Sequence, residues 1–115
     1  MFRRIAVWTP VFLYMAFIFY LSSQTAVPGP STPPFPHYDK VIHMVMFGVL
    51  SLLFFGAWKY EKTSSPYVYA IIFTIMYGVL DEFHQSFVPG RTPDVFDAVA
   101  DGIGSLIVLF GKRGK

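Results

Sequence analysis

The sequence predicts an all-α integral membrane protein with four transmembrane helices. Hydrophobic residues make up 54% of the 115-residue chain and charged residues only 14%, whereas a soluble domain carries about 25% charged residues. Four apolar runs of near-membrane length follow one another along the chain. Because backbone groups in hydrocarbon must be hydrogen-bonded within their own segment, each run is expected to be a helix. The length allows one domain, residues 1–115.

The four helices are predicted over residues 5–22, 41–58, 66–82 and 95–110. Each apolar run is near the short end of the about 17–25 residues that a spanning helix needs, and polar residues at its outer end would complete the span. The first run follows Arg3 and Arg4, as the apolar part of a signal peptide would. It is longer than the usual about 7–15 residues of such a segment, so we expect a retained helix.

Aromatic residues mark the expected membrane interfaces of the same helices. Trp8 lies near the start of the first helix, and Trp58 and Tyr60 lie at the end of the second. Tyr67 and Tyr69 open the third. Because Trp and Tyr concentrate at the level of the lipid head groups, these positions predict where the helices enter and leave the bilayer.

The distribution of Lys and Arg predicts the orientation. If the four helices alternate in direction, only Lys40 and Arg91 fall on one side, and the other seven basic residues fall on the side of both termini. Positive charge is enriched on the cytoplasmic side, so both termini are expected to be cytoplasmic. Of the seven acidic residues, all but Glu61 then lie at the outer face or just beneath it.

Composition excludes several function classes. The chain contains no Cys, which excludes disulfide bonds and thiolate chemistry. Its basic residues form no stripe, so no nucleic-acid partner is expected. No serine lies in a nucleophile-elbow sequence, so serine hydrolysis has no support.

A short segment recurs in the two halves of the chain. Residues 24–29 read QTAVPG and residues 85–90 read QSFVPG. Each copy precedes a helix that opens with an aspartate, and four residues later comes His43 in the first half and Asp101 in the second. The pattern predicts two parallel hairpin repeats with a site between them. The alternative is a chance match between two Pro-Gly turns.

Ionisable residues concentrate at the outer ends of the second, third and fourth helices. Asp94, Asp97 and Asp101 are spaced i, i+3 and i+7, which places them on one face of the fourth helix. Charged groups at membrane depth are costly and are therefore functional candidates. Together these helix ends predict an acidic pocket at the outer leaflet. The predicted ligand-binding residues are Asp39, Lys40, His43, Gln85, Arg91 and Asp101.

Asp81, Glu82 and Asp97 are the candidate catalytic residues. Two carboxylates held close together in a low dielectric cannot both ionise easily, and a protonated carboxyl beside an ionised one can act as a general acid–base pair. Lys40 and Arg91 would bind an anionic group such as a lipid phosphate. The alternative is that these charges form ion pairs that only hold the helices together.

No cofactor is predicted from the sequence. His43, His84, Glu82 and several of the aspartates could supply nitrogen and oxygen ligands to a divalent ion, which stays an open alternative. However, the chain has no H-E-x-x-H or similar clustered spacing, and the ligands would have to converge from three helices. The sequence therefore assigns no residues to a metal site.

Four segments resemble the VanZ-like family in order and spacing. They are YLSSQ at Tyr20–Gln24, DKVIH at Asp39–His43, DEFHQSFVPGR at Asp81–Arg91, and the D-x-x-x-D-x-x-G spacing of Asp97, Asp101 and Gly104. Members of this family are small bacterial integral membrane proteins, and the family is named after a protein that gives low-level teicoplanin resistance. The resemblance implies a cell-envelope role in the bacterial cytoplasmic membrane. Many members carry Asn at the position of Asp101.

The predicted function is therefore an envelope protein that binds an anionic amphipathic molecule in an outward-facing acidic pocket. The ligand would be a phospholipid or a lipid-linked cell-wall precursor, and the resemblance implies lowered sensitivity to teicoplanin-like glycopeptides. One alternative is an enzyme that modifies such a lipid by carboxylate acid–base chemistry. Another is a structural membrane subunit without a ligand. Four short helices could also pair with a second copy of the chain.

Overall fold

The chain folds into antiparallel helices. The computed structural model describes residues 2–23, 38–89 and 95–112, and within these ranges it contains helices, turns and no strand. The predicted all-α class is confirmed. The helices are α1 (Phe2–Ser22), α2 (Tyr38–Tyr60), α3 (Pro66–Gln85), α4 (Val95–Ser105) and α5 (Val108–Lys112).

Contacts at the two ends of the bundle show how the helices alternate. Arg4, near the start of α1, binds Glu61 in the turn between α2 and α3. Ser22, at the end of α1, donates a hydrogen bond to Asp81 near the end of α3. Helices α1 and α3 therefore run in the same direction, with α2 and α4 opposite. We call the end that holds the C-termini of α1 and α3 and the N-termini of α2 and α4 the polar end.

Within the described part of the chain, two helices are long and apolar enough to cross a membrane, Phe2–Ser22 and Lys40–Tyr60. Each has 21 residues, which corresponds to about 31 Å at about 1.5 Å per residue. Only 17% of the first apolar window and 33% of the second is buried in the fold. A core helix of a soluble protein would be mostly buried, so the outward-facing apolar surface of these helices indicates a lipid environment.

The third and fourth predicted spans do not meet the same criterion. Helix α3 carries Asp81, Glu82, His84 and Gln85 in its last turns, and these polar residues lower its mean hydropathy. Helix α4 has only 11 residues, because the predicted helix 95–110 is interrupted by a turn at residues 106–107.

The interruption after α4 is caused by a contact with α2. Ser51 Oγ on α2 donates a 2.8 Å hydrogen bond to the carbonyl oxygen of Ser105. In a continuous helix that carbonyl would accept from the N–H of Leu109, but this N–H donates instead to Leu106 at 3.0 Å. The chain therefore tightens into a turn with i to i+3 hydrogen bonds before α5 begins.

The core is built around α2. The buried side chains of Phe47, Leu50 and Phe54 pack with Val11 and Ile18 of α1. At the end opposite the polar end, Glu61 accepts hydrogen bonds from Arg4 and from Trp8 Nε1, the latter at 2.8 Å. The indole hydrogen bond and the adjacent guanidinium lower the pKa of Glu61 below its ordinary value.

Candidate functional site at the polar end

The polar end contains a fully buried carboxylate held by a histidine. Asp101 of α4 is 0% exposed, and its Oδ1 lies 2.8 Å from Nδ1 of His43 on α2. The other oxygen, Oδ2, has no hydrogen-bond partner in the part of the chain that the structure describes. An ionised carboxylate can only accept, so with Asp101 ionised Nδ1 carries the imidazole proton and Nε2 faces away from Asp101.

Glycine makes room for this carboxylate. A Cβ atom added to Gly78 of α3 would lie 2.9 Å from Asp101 Oδ2 and 3.0 Å from Asp101 Cβ. Helix α4 also approaches α2 closely at a glycine, because a Cβ on Gly104 would overlap the carbonyl oxygen of Met44. Glycine therefore allows α4 to pack closely against both α2 and α3, as in closely packed membrane helices.

Asp97, one turn before Asp101, is held between two groups of α2. Its Oδ1 lies 3.2 Å from Nζ of Lys40, and its Oδ2 lies 3.9 Å from Nε2 of His43. The Lys40 side chain is 22% exposed and that of His43 is 16% exposed. This layer of the site is therefore partly open, whereas the Asp101 layer beneath it is closed.

Glu82 of α3 completes a convergence of three helices. One potential ligand atom from each of His43, Glu82 and Asp97 lies within 4.8 Å of the others. Two of these residues, Glu82 and Asp97, are predicted catalytic residues, and His43 is a predicted ligand-binding residue. Such a set can exchange protons or coordinate a cation.

Asp81, the third candidate catalytic residue, takes part in a different contact. It is buried, and it accepts a hydrogen bond from Ser22 Oγ of α1. Gln85, one turn later on α3, is also buried and directs its Nε2 to Asp81 Oδ2 at 3.4 Å and to Ser22 Oγ at 3.5 Å. These three side chains join α1 to α3. Ser22 was not among the predicted site residues, although it lies inside the YLSSQ motif that could have indicated it.

A second contact between α1 and α3 pairs a serine with a histidine. Ser23 Oγ lies 2.9 Å from Nε2 of His84, and the His84 ring stacks on Phe19 with centroids 4.2 Å apart. The same hydroxyl donates to the carbonyl oxygen of Phe19 at 2.8 Å. Because a hydroxyl has one proton, His84 Nε2–H must be the donor to Ser23. His84 is then not placed as a base for a serine nucleophile.

Three acidic or basic residues of the predicted pocket lie wholly or partly outside the described residues. Arg91 and Asp94 lie outside the described residues, and of Asp39 only the backbone, within α2, is described. The structure thus brings together Lys40, His43, Glu82, Asp97 and Asp101 in one cluster. It places Asp81 and Gln85 in the neighbouring contact with α1.

The contacts also bear on the predicted repeat. Ser23 and His84 are separated by 61 residues, the offset of the repeated QxxVPG segment, and they touch each other. His43 and Asp101 are separated by 58 residues, the offset between Asp39 and Asp97, and they also touch. Contact between equivalent positions is expected near a two-fold axis. However, α2 packs broadly on α3 and no comparable α1–α4 contact occurs among the described residues, so the repeat stays a prediction.

Comparison with known proteins places this architecture in a family. The sequence model of the VanZ/LLP1 family matches residues 7–111. An uncharacterized protein of Schizosaccharomyces pombe, C11E3.10, is 33% identical over 85 residues, which cover 70% of this chain and 52% of that protein. The chain therefore spans about half the length of this relative. No solved structure matches the chain. The match over nearly the whole sequence confirms the resemblance carried by the polar-end motifs, and the chain belongs to the VanZ/LLP1 family.

Proposed function

We propose that the protein spans the bacterial cytoplasmic membrane four times, with both termini in the cytoplasm, and binds a phosphate-bearing amphipathic molecule at the polar end. The observation that carries the proposal is the partly exposed layer formed by Lys40, His43, Glu82 and Asp97. A purely structural set of ion pairs would be sealed, whereas this layer keeps a lysine at its edge.

The four-span arrangement is supported by length as well as by α1 and α2. Helix α3 has 20 residues, or about 30 Å of helix. Residues 95–112 contain α4 and α5, and 18 residues of helix would correspond to about 27 Å. Their large exposed side chains, such as Ile72, Met76 and Ile103, are apolar. Such surfaces suit contact with lipid tails.

Lys40 is suited to meet an anionic head group. Its ammonium group is held at the N-terminal end of α2 by Asp97, at 3.2 Å. An anion at a helix N-terminus is further stabilised by the helix dipole. Arg91 would contribute a second cation from the loop that follows α3.

The fungal relative favours a ligand that is not restricted to bacterial cell walls. Fission yeast makes no peptidoglycan, yet it has a protein that is 33% identical over 85 residues. If the polar end has the same role in both, a phospholipid or another phosphate-bearing lipid is a better ligand than a peptidoglycan precursor. Lowered teicoplanin sensitivity would then be an indirect result of altered envelope lipid.

Lipid co-purification tests the binding proposal. The wild type and Lys40→Gln would be purified in a mild detergent, and the lipids that remain bound would be identified by mass spectrometry. Lys62→Gln is the matched control, because Lys62 is exposed at the opposite end of the bundle. We expect anionic lipid to be retained by the wild type and Lys62→Gln and lost from Lys40→Gln. Equal retention by all three would contradict the proposal.

The convergence of His43, Glu82 and Asp97 favours one second candidate, an enzyme that modifies the bound lipid by acid–base chemistry. Comparison of envelope lipids in cells expressing wild type or Glu82→Gln at equal levels tests it. A covalent change that depends on Glu82 would support the enzyme. Identical lipid profiles would leave the binding function as the proposal.

A further inference from the structure

We propose that the polar end holds a divalent transition-metal ion between His43, Glu82 and Asp97. The three side chains come from α2, α3 and α4, and their potential ligand atoms lie within 4.8 Å of one another. One imidazole nitrogen and two carboxylate oxygens form a mixed donor set. Such a set suits Zn²⁺ or Mn²⁺ better than Mg²⁺ or Ca²⁺, which prefer oxygen alone.

The histidine is oriented for coordination. Asp101 Oδ1 accepts from His43 Nδ1 at 2.8 Å, which leaves the lone pair of Nε2, on the ring nitrogen that lies near Asp97, for a metal ion. Metal-bound histidines nearly always donate their other ring N–H to a carboxylate or carbonyl in this way. Asp101 is therefore a positioning residue, and it is completely buried behind the imidazole.

The distance between Nε2 and Asp97 suits a shared ion. At 3.9 Å from Asp97 Oδ2, Nε2 is too far for a hydrogen bond. Two donor atoms that each lie about 2.1 Å from one ion are at most about 4.2 Å apart. The pair can therefore coordinate a common ion with little movement. Asp97 Oδ1 continues to face Lys40, so both oxygens of this carboxylate have a role.

The charge at this end of the chain calls for an additional cation. Among the described side chains, the polar end has four carboxylates, those of Asp81, Glu82, Asp97 and Asp101, and one ammonium group, that of Lys40. Even if Lys40 neutralises Asp97, three acidic groups remain. Asp101 in addition is fully buried and has an oxygen without a hydrogen-bond partner among the described residues. Grouped carboxylates in a low dielectric repel one another, and a divalent ion relieves that repulsion.

A bound metal ion would also explain how an acidic pocket binds an anionic head group, and this explanation rests on the proposed function. A pocket rich in carboxylates repels an anionic head group. An ion with three protein ligands retains open coordination positions, which phosphate oxygens can occupy. Nζ of Lys40, which lies 3.2 Å from Asp97 Oδ1, would then form a second contact with the same head group.

Metal binding is measured on the detergent-purified full chain without added lipid. After treatment with a chelator and its removal, the wild type is titrated with Zn²⁺ and with Mn²⁺ by calorimetry, and bound metal is counted by plasma mass spectrometry. We expect about one ion per chain. His43→Gln and Glu82→Gln should each weaken binding at least about 100-fold, and Asp101→Asn by about 10–100-fold.

Two matched controls separate the site from general effects. His84→Gln changes a histidine at the same end that is outside the cluster, and Glu61→Gln changes a carboxylate at the opposite end. Both should bind metal as the wild type does. Pulsed paramagnetic resonance of wild type loaded with Mn²⁺ should show coupling to imidazole nitrogen, a readout that needs no variant. The absence of stoichiometric binding, or equal affinity in His43→Gln and His84→Gln, would overturn the site.

A separate measurement distinguishes this inference from the proposed function. Vesicles of phosphatidylglycerol are mixed with metal-loaded protein and with chelator-treated protein. Binding of the metal without binding to the vesicles would support the metal site and contradict the lipid function. Binding to the vesicles that is unchanged by the chelator would support the lipid function and contradict the bridging role of the ion. We expect lipid binding that is lost with the metal.

Discussion

His43 of α2 and Asp101 of α4 contact each other at the polar end. The Nδ1 atom of the first lies 2.8 Å from the Oδ1 atom of the second, and each follows the opening aspartate of its helix by four residues. The pair therefore joins α2 to α4 at the base of the cluster. The contact fixes the orientation of the imidazole, on which the proposed metal site and acid–base chemistry depend.

Asp101→Asn should be tolerated and Asp101→Leu should not. Asparagine keeps an oxygen that can accept from His43 Nδ1, whereas leucine leaves that buried N–H without an acceptor. An unsatisfied buried donor costs about 1–3 kcal/mol. Thermal unfolding in detergent should therefore show a clearly lower midpoint for Asp101→Leu than for Asp101→Asn. Equal midpoints would show that the His43 contact contributes nothing to stability.

Gly104→Ala should destabilise the protein, whereas Gly56→Ala should not. A Cβ at Gly104 would overlap the backbone of Met44, and a Cβ at Gly56 would meet no atom within 4 Å. Overpacking of this kind costs about 1–3 kcal/mol or more, while alanine in an open helical position is favourable by about 0.5–1 kcal/mol. The measurement is the unfolding midpoint of each variant. A stable Gly104→Ala protein would mean that α2 and α4 can move apart freely.

Ser22→Ala should loosen the contact between α1 and α3. The substitution removes a hydrogen-bond donor to the buried carboxylate of Asp81, at a cost of about 1–3 kcal/mol. Ser64→Ala is the control, because Ser64 lies exposed in the turn between α2 and α3. Hydrogen exchange should increase near the end of α1 in Ser22→Ala and remain unchanged in Ser64→Ala. Unchanged exchange in both would argue against a stabilising role for Ser22.

Acid should remove the stabilising effect of Glu61. Its pKa is lowered from the ordinary value of about 4.5, chiefly by the Trp8 indole and also by Arg4. A carboxyl whose pKa is lower in the folded state stabilises fully above the unfolded pKa, and loses that effect as the pH falls through the folded pKa. The wild type should thus unfold at a higher temperature than Glu61→Gln at pH 7, and the difference should vanish once the pH falls below the lowered pKa of Glu61 in the folded state. A difference that does not change with pH would contradict this assignment.

Local sequence pattern predicted the helices well, because each follows from an apolar run with polar residues at its ends. The break after Ser105 could not be predicted in this way. It depends on the hydroxyl of Ser51, which is 54 residues away in sequence and reaches the carbonyl only when α2 and α4 are packed.

The candidate site, like the fold, could be predicted only in part from the sequence. The i, i+3 and i+7 spacing correctly placed Asp97 and Asp101 on one side of α4, where both face α2. Spacing alone could not separate Asp81 from Glu82, which are neighbours in sequence. The helix turns adjacent residues by about 100°, so Asp81 contacts α1 while Glu82 joins the cluster with α4.

The contact of Gly104 with Met44 has a consequence for how a ligand is received. Main chain, rather than flexible side chains, sets the spacing of α2 and α4 at this level. Met44 is adjacent to His43, and Gly104 lies one turn from Asp101. The fixed distance between the backbones of α2 and α4 therefore also fixes the distance between His43 and Asp101. The imidazole is thus preassembled before anything binds. An incoming ion or head group would lose little of its affinity to ordering the protein.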